Sequence, residues 1–147
     1  MRNCTVVLLS AVFLATFTGC LSGVKSPSGF RLPDGDAQRG RATFLELKCN
    51  ACHEVQGMDL PYTTAALAKP VVLGGEVLYV RTDGELVTAI VNPSHELAQG
   101  YPRELIESDG KSRMKDYSDE MTVRQLVDLV AFLHSCYKTV PPPIANL

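Results

Sequence analysis

Cys49-Asn50-Ala51-Cys52-His53 places two cysteines three apart, with a histidine directly after the second. Two thiols and an imidazole on so short a segment can do three kinds of chemistry. They can cycle as a redox disulfide, supply part of a zinc site, or hold a large prosthetic group. A structural zinc site needs four ligands, usually including a second Cys/His pair. Here His95 and His134 stand alone in the sequence. A thioredoxin-like pair follows a strand in a βαβ unit, whereas helical periodicity precedes Cys49. A plain disulfide leaves His53 without a role.

The third chemistry uses every residue of the motif. Side chains three apart on a helical turn project to one side. Two such thiols can bond to the two vinyl groups on one edge of a haem, with the following histidine beneath the ring to ligate iron. C-x-x-C-H is the attachment signal for covalent haem c for that reason. Cys49 and Cys52 are therefore the expected thioether residues and His53 the expected axial ligand.

The opposite face of the iron decides between electron transfer and an open binding site. Met58, Met114, Met121, His95 and His134 are the candidates. Met58 follows His53 too closely to pass round the ring. Met121 precedes a helix cap and suits a hydrophobic staple with Leu126. His134 falls inside a helix, where a packed histidine is commoner, and His95 follows a helix stop as an ordinary loop residue. Met114 stands alone in the polar run GKSRMKDYS, where nothing local calls for an apolar side chain. It is the expected second axial ligand.

The elements that must position these groups are partly legible. Asp36 is placed to cap a helix carrying Ala37, Gly40, Phe44 and Leu47 on one stripe and ending near Lys48. Thr82 with Glu85, and Thr122 with Gln125, match capping boxes. The first opens a helix that stops before Pro93. The second opens one with Leu126, Leu129, Val130 and Leu133 on one face. PVVLGGEVLYV (70–80) predicts a small hairpin around Gly74-Gly75. Residues 108–120 read as a polar loop.

Composition places these elements in one domain. The chain has 147 residues, 20% charged and 46% apolar, with a net charge of −2. No basic block suggests nucleic acid as a partner. Residues 1–19 read as a signal peptide: Arg2, an apolar run too short to span a bilayer, then small residues. The end of that run, FTGC, resembles the lipobox of bacterial lipoproteins. This resemblance implies acylation of Cys20, which tethers rather than threads the protein. Removal of Arg2 with the leader leaves a net charge of −3. Residues 20–35, rich in Ser, Gly and Pro, read as a flexible linker. The compact domain is expected over 36–137, followed by a proline-rich tail over 138–147. Cys136 reads as a half-buried spare thiol.

Residues 36–135 resemble a class I mono-haem cytochrome c. Gly40 and Phe44 match that family's G-x-x-x-F helix, CNACH its attachment site, PVVLGG its proline loop, and DGKSRMKDYSDEMTVRQLVDLVAFL its distal loop and last helix. The resemblance implies a mainly α fold, with N- and C-terminal helices crossing beside one covalent haem. It implies a close crossing at Gly40, with Leu129 and Phe132 packed on the first helix. It also implies that the carbonyl of Pro70 accepts a hydrogen bond from His53, with Pro61 as a rival. Lys115 departs from the pattern, since the family usually has proline after the ligand methionine.

The expected function is single-electron transfer between exported or membrane redox donors and acceptors. No catalytic residues and no small-molecule substrate are expected. Lys111, Arg113 and Lys115 are candidates for a docking patch. Two alternatives are a dedicated subunit of a larger periplasmic enzyme, docked through an apolar surface, and a sensor or peroxidase-like protein with an open iron site. The expected location is the periplasmic face of a membrane, through Cys20.

Overall fold

The structure, a computed structural model, describes residues 30–61 and 69–142. The expected signal peptide, Cys20, the linker through residue 29 and the tail from residue 143 lie outside the described residues. In chain order the elements are α1 (Ala37–Glu46), a 3-10 turn (Cys49–Ala51), β1 (His53–Val55), β2 (Val71–Leu73), β3 (Gly75–Val77), α2 (Asp83–Val91), α3 (Arg103–Ile106), β4 (Glu107–Ser108), β5 (Lys111–Ser112), α4 (Val123–Ser135) and β6 (Tyr137–Thr139).

Each long helix starts where a side chain replaces the missing helical acceptor. Asp36 accepts from the backbone N–H of Gln38 and Arg39. Thr82 with Glu85, and Thr122 with Gln125, form reciprocal capping boxes, each satisfying two otherwise orphaned N–H groups. Helix α1 ends at Glu46, two residues short of expectation. Lys48 then takes a left-handed conformation (φ 57°), which turns the chain from helix into the cysteine segment.

The core lies where α1 crosses α4. Gly40 makes the close approach feasible: a Cβ there would sit 1.9 Å from the carbonyl oxygen of Asp128 and 2.7 Å from Phe132 Cβ. The backbones therefore meet, and Phe44 and Phe132, both 2% exposed, stack with ring centroids 5.5 Å apart and planes tilted by 59°. Val55, Leu86, Ile90, Leu129, Val130, Leu133 and Cys136 complete the buried cluster. Burial of each large apolar side chain contributes about 1.5–3 kcal/mol. Polar atoms lock the same crossing. Buried Asp128 accepts from Arg39 Nε at 2.8 Å, Arg39 Nη2 at 3.1 Å and the backbone N–H of Asp36 at 2.8 Å.

The expected hairpin around Gly74-Gly75 does not form. Strand β2 pairs with β1, and β3 pairs with β6, both in parallel. The two glycines, at φ 79° and 86°, redirect the chain from one partner to the other instead of folding it back. Side chains are excluded at both: a Cβ at Gly74 would approach the Cys136 carbonyl to 2.8 Å, and one at Gly75 would strike the Gln56 amide. Cys136 is fully buried rather than half-buried, and its thiol donates to the Phe132 carbonyl at 3.1 Å. The fold is thus a helical crossing laced by short strand pairs. Among the described residues no helix is long and apolar enough to cross a membrane.

Candidate functional site

The cysteine segment hangs directly off the end of α1. After the left-handed Lys48, Cys49, Asn50 and Ala51 form a 3-10 turn, and the N–H of Cys52 closes on the Cys49 carbonyl at 3.2 Å. This turn holds both sulfurs on one compact loop. Cys49, Cys52 and Cys136 are free thiols. Burial pushes the Cys49 thiol up to about 11, and the nearby Cys52 adds to the rise. Burial also raises Cys52, though the positive charge of Arg113 works against it. At neutral pH both are protonated thiols.

His53 begins β1, and register determines its partner. His53 pairs with Val71 across the parallel ladder, and the Val71 N–H donates to the Cys52 carbonyl at 2.8 Å. The Nδ1 of His53 lies 3.3 Å from the Val71 carbonyl oxygen. A carbonyl can only accept, so this contact requires a proton on Nδ1. Burial lowers the pKa of the ring, outweighing the opposite pull of the Val71 carbonyl. The result is a neutral imidazole with its lone pair on Nε2, the state that ligates a metal.

This corrects the expectation for Pro70. The acceptor is the carbonyl of Val71, one residue further on, because the β1–β2 register sets Val71 opposite His53. Pro61, the rival, instead receives the side-chain amide of Asn50 on its carbonyl. That bond ties the loop after β1 to the cysteine turn. The other polar side-chain atom of Asn50, Oδ1, is buried without a hydrogen-bond partner among the described residues, an arrangement that costs about 1–3 kcal/mol unless something completes it.

Met114 is half-buried in the segment after the β4–β5 hairpin, and its N–H donates to Ser112 Oγ at 3.1 Å. Its neighbours connect it to the thiols. Arg113 acts electrostatically on Cys52. The hydroxyl of Tyr117 donates to the Leu47 carbonyl at 2.8 Å, at the end of α1. Burial raises the Tyr117 phenol, and Cys49 and Cys52 raise it further. The loop that carries Met114 is therefore tied to the end of α1, next to the cysteine segment, through Tyr117.

The remaining candidates have other environments. Met58 is exposed, in the loop after β1. Met121 and Leu126 both pack against the core cluster. His134 Nε2 is 2.9 Å from Asp83 Oδ1, joining α4 to α2. His95 is exposed. Of the expected cationic patch, Lys111, Arg113 and Lys115 are all exposed. Lys115 is not a free charge, however, since its Nζ pairs with Glu120 at 2.6 Å.

The donor set fits a covalently held haem. It offers two unpaired thiols on one turn and an imidazole whose Nε2 lone pair is set by a backbone carbonyl. It does not fit a zinc cage: among the described residues no group of three or more His, Cys, Asp and Glu side chains is placed to hold a metal ion. Sequence reasoning missed Val71, Asn50 and Tyr117. Only Tyr117 left a trace there, as a lone aromatic in a polar loop. No family model, characterised protein or solved structure matches this chain.

Proposed function

We propose that this protein is a mono-haem c-type cytochrome that carries single electrons between exported or membrane-bound redox partners. The observation that carries the reading is the His53 contact with Val71, made on the segment that also presents both thiols. A neutral imidazole with Nδ1 engaged and Nε2 available is what an axial ligand needs. Cys49 and Cys52 would hold the group as thioethers, and His53 and Met114 would ligate its iron. When bound, the haem iron supplies reversible one-electron chemistry, and a His/Met ligand pair raises its potential.

The chain's own task is to hold and orient. The 3-10 turn spaces the sulfurs, the β1–β2 register fixes the ring of His53, and the α1–α4 crossing supports both. Cys20 is proposed as the acylated residue that tethers the domain to the periplasmic face of a membrane through the linker.

Denaturation of the purified protein in acid and organic solvent tests the reading. The pigment should stay on the polypeptide, and a Cys49→Ala, Cys52→Ala variant should release it. The ferric protein should show the methionine-to-iron charge-transfer band, and Met114→Ala should lack it. Free pigment from the wild-type protein, or none at all, overturns the proposal. Covalent pigment without the band favours an open iron site instead.

A further inference from the structure

The Met114 loop is anchored at both ends by contacts that do not involve the methionine side chain. On its N-terminal side, the Ser112 N–H donates to Ser94 Oγ at 3.1 Å, and Ser112 Oγ accepts from the Met114 N–H. On its C-terminal side, the Tyr117 hydroxyl donates to Leu47 at 2.8 Å, across 70 residues of chain. The Leu47 carbonyl is a helix-end acceptor with no further helical partner, so this bond fastens the loop to the residue two places before Cys49. The Tyr117 carbonyl in turn accepts from Glu120 N–H at 3.0 Å and Met121 N–H at 2.9 Å, closing the turn that leads into α4.

Lys115 bridges the remaining gap. Its Nζ lies 2.6 Å and 2.7 Å from the two carboxylate oxygens of Glu120, and 5.2 Å from the centroid of the Tyr117 ring. One ammonium therefore joins the residue beside Met114 to the ring that anchors the loop and to the turn beyond it. The bonds involved are charge–charge and cation–π contacts on half-exposed side chains (56% for Lys115, 50% for Glu120). Such contacts weaken as salt screens them.

We propose that Lys115, Tyr117 and Glu120 form a latch that positions Met114, making its hold on the iron dependent on ionic strength. These three are positioning residues, and the proposal rests on the haem reading above. Lys115 and Glu120 are about half exposed, so their ion pair can break without disturbing the buried cluster. Its release would loosen the segment that carries Met114, and so weaken the hold of that residue on a bound haem, while α1 and α4 stay crossed.

Imidazole binding to the ferric holoprotein reads the latch. Imidazole enters when Met114 leaves, so its apparent affinity scales with the fraction of open loop. An exposed ion pair and one cation–π contact each shift an equilibrium severalfold. Lys115→Gln and Glu120→Gln should therefore tighten imidazole binding by roughly three- to tenfold. Tyr117→Phe should tighten it too, by freeing the Leu47 carbonyl. Lys115→Arg, which keeps charge and stacking, should restore wild-type affinity. Added salt should tighten binding to the wild type but not to Lys115→Gln, and in Met114→Ala the Lys115 substitution should have no effect. If the charge-transfer band is present and imidazole affinity is the same in wild type and Lys115→Gln at all salt concentrations, the latch is refuted while the haem reading stands. If the wild type lacks the band, Met114 is not the ligand, and the assignment falls together with the latch.

Discussion

Replacing Gly40 with alanine pits two effects of opposite sign against each other. In an isolated helix the change stabilises by about 1 kcal/mol, through helix propensity. Here the added Cβ would lie 1.9 Å from the Asp128 carbonyl oxygen, and ordinary contact begins at 3.4 Å. The helices must therefore separate by about 1.5 Å along that direction. A gap of 0.5–1 Å already forfeits about a quarter to a half of the contact energy of the atoms facing it. The Phe44–Phe132 pair contributes roughly 0.5–1.5 kcal/mol beyond its burial, and each ring about 1.5–3 kcal/mol through burial. Half of the burial energy of the two rings plus the pair energy, less the helix gain, leaves a net loss of about 1–3.5 kcal/mol. Urea unfolding of the holoprotein followed by far-UV circular dichroism measures it. The melting temperature should fall by roughly 5–20 °C for a domain of this size. A Gly40→Ala protein as stable as wild type, or more so, would show that the helices do not meet backbone to backbone at this point.

Two further perturbations test other parts of the fold. Asp128 is held below the usual carboxylate range chiefly by Arg39, and then by the Asp36 N–H. A depressed carboxylate contributes stability above its ordinary pKa and loses it as pH falls through the lowered value. Asp128→Asn should be less stable at neutral pH and should show a shallower loss of stability into acid. Urea titrations from pH 7 to pH 2 measure this, and parallel acid limbs for the two proteins would contradict it. Gly74→Ala and Gly57→Ala both force an L-residue into a left-handed conformation, at φ 79° and 78°, for about 1–2 kcal/mol each. Only Gly74 also meets a backbone oxygen, at 2.8 Å, while a Cβ at Gly57 meets nothing within 4 Å among the described residues. Gly74→Ala should therefore be the worse of the two by about 1 kcal/mol or more. Equal unfolding free energies would place the Cys136 carbonyl elsewhere.

What the sequence determined by itself is local. The caps at Asp36, Thr82 and Thr122 form because a side chain reaches an N–H two or three residues away, and spacing alone settles that geometry. The close turn of Cys49 and Cys52, with His53 following, is local in the same sense. The apolar stripe from Gly40 to Phe44 is a matter of helical period. What only the tertiary structure decided involves partners distant in sequence. The acceptor for His53 is Val71 and not Pro70, because the register of a parallel pair joins residues 18 apart in sequence, beyond the reach of local spacing. The glycine pair at 74–75 joins two different ladders instead of one hairpin, because β2 and β3 each pair with a strand distant in sequence, β1 and β6. Tyr117 finds Leu47, 70 residues away, only once the end of α1 and the segment before α4 have come together. A residue's type limits which bonds it can make, and its spacing settles those within a few residues. The longer bonds wait for the core, since the cost of closing a long loop is met by burial elsewhere and not by the bond itself.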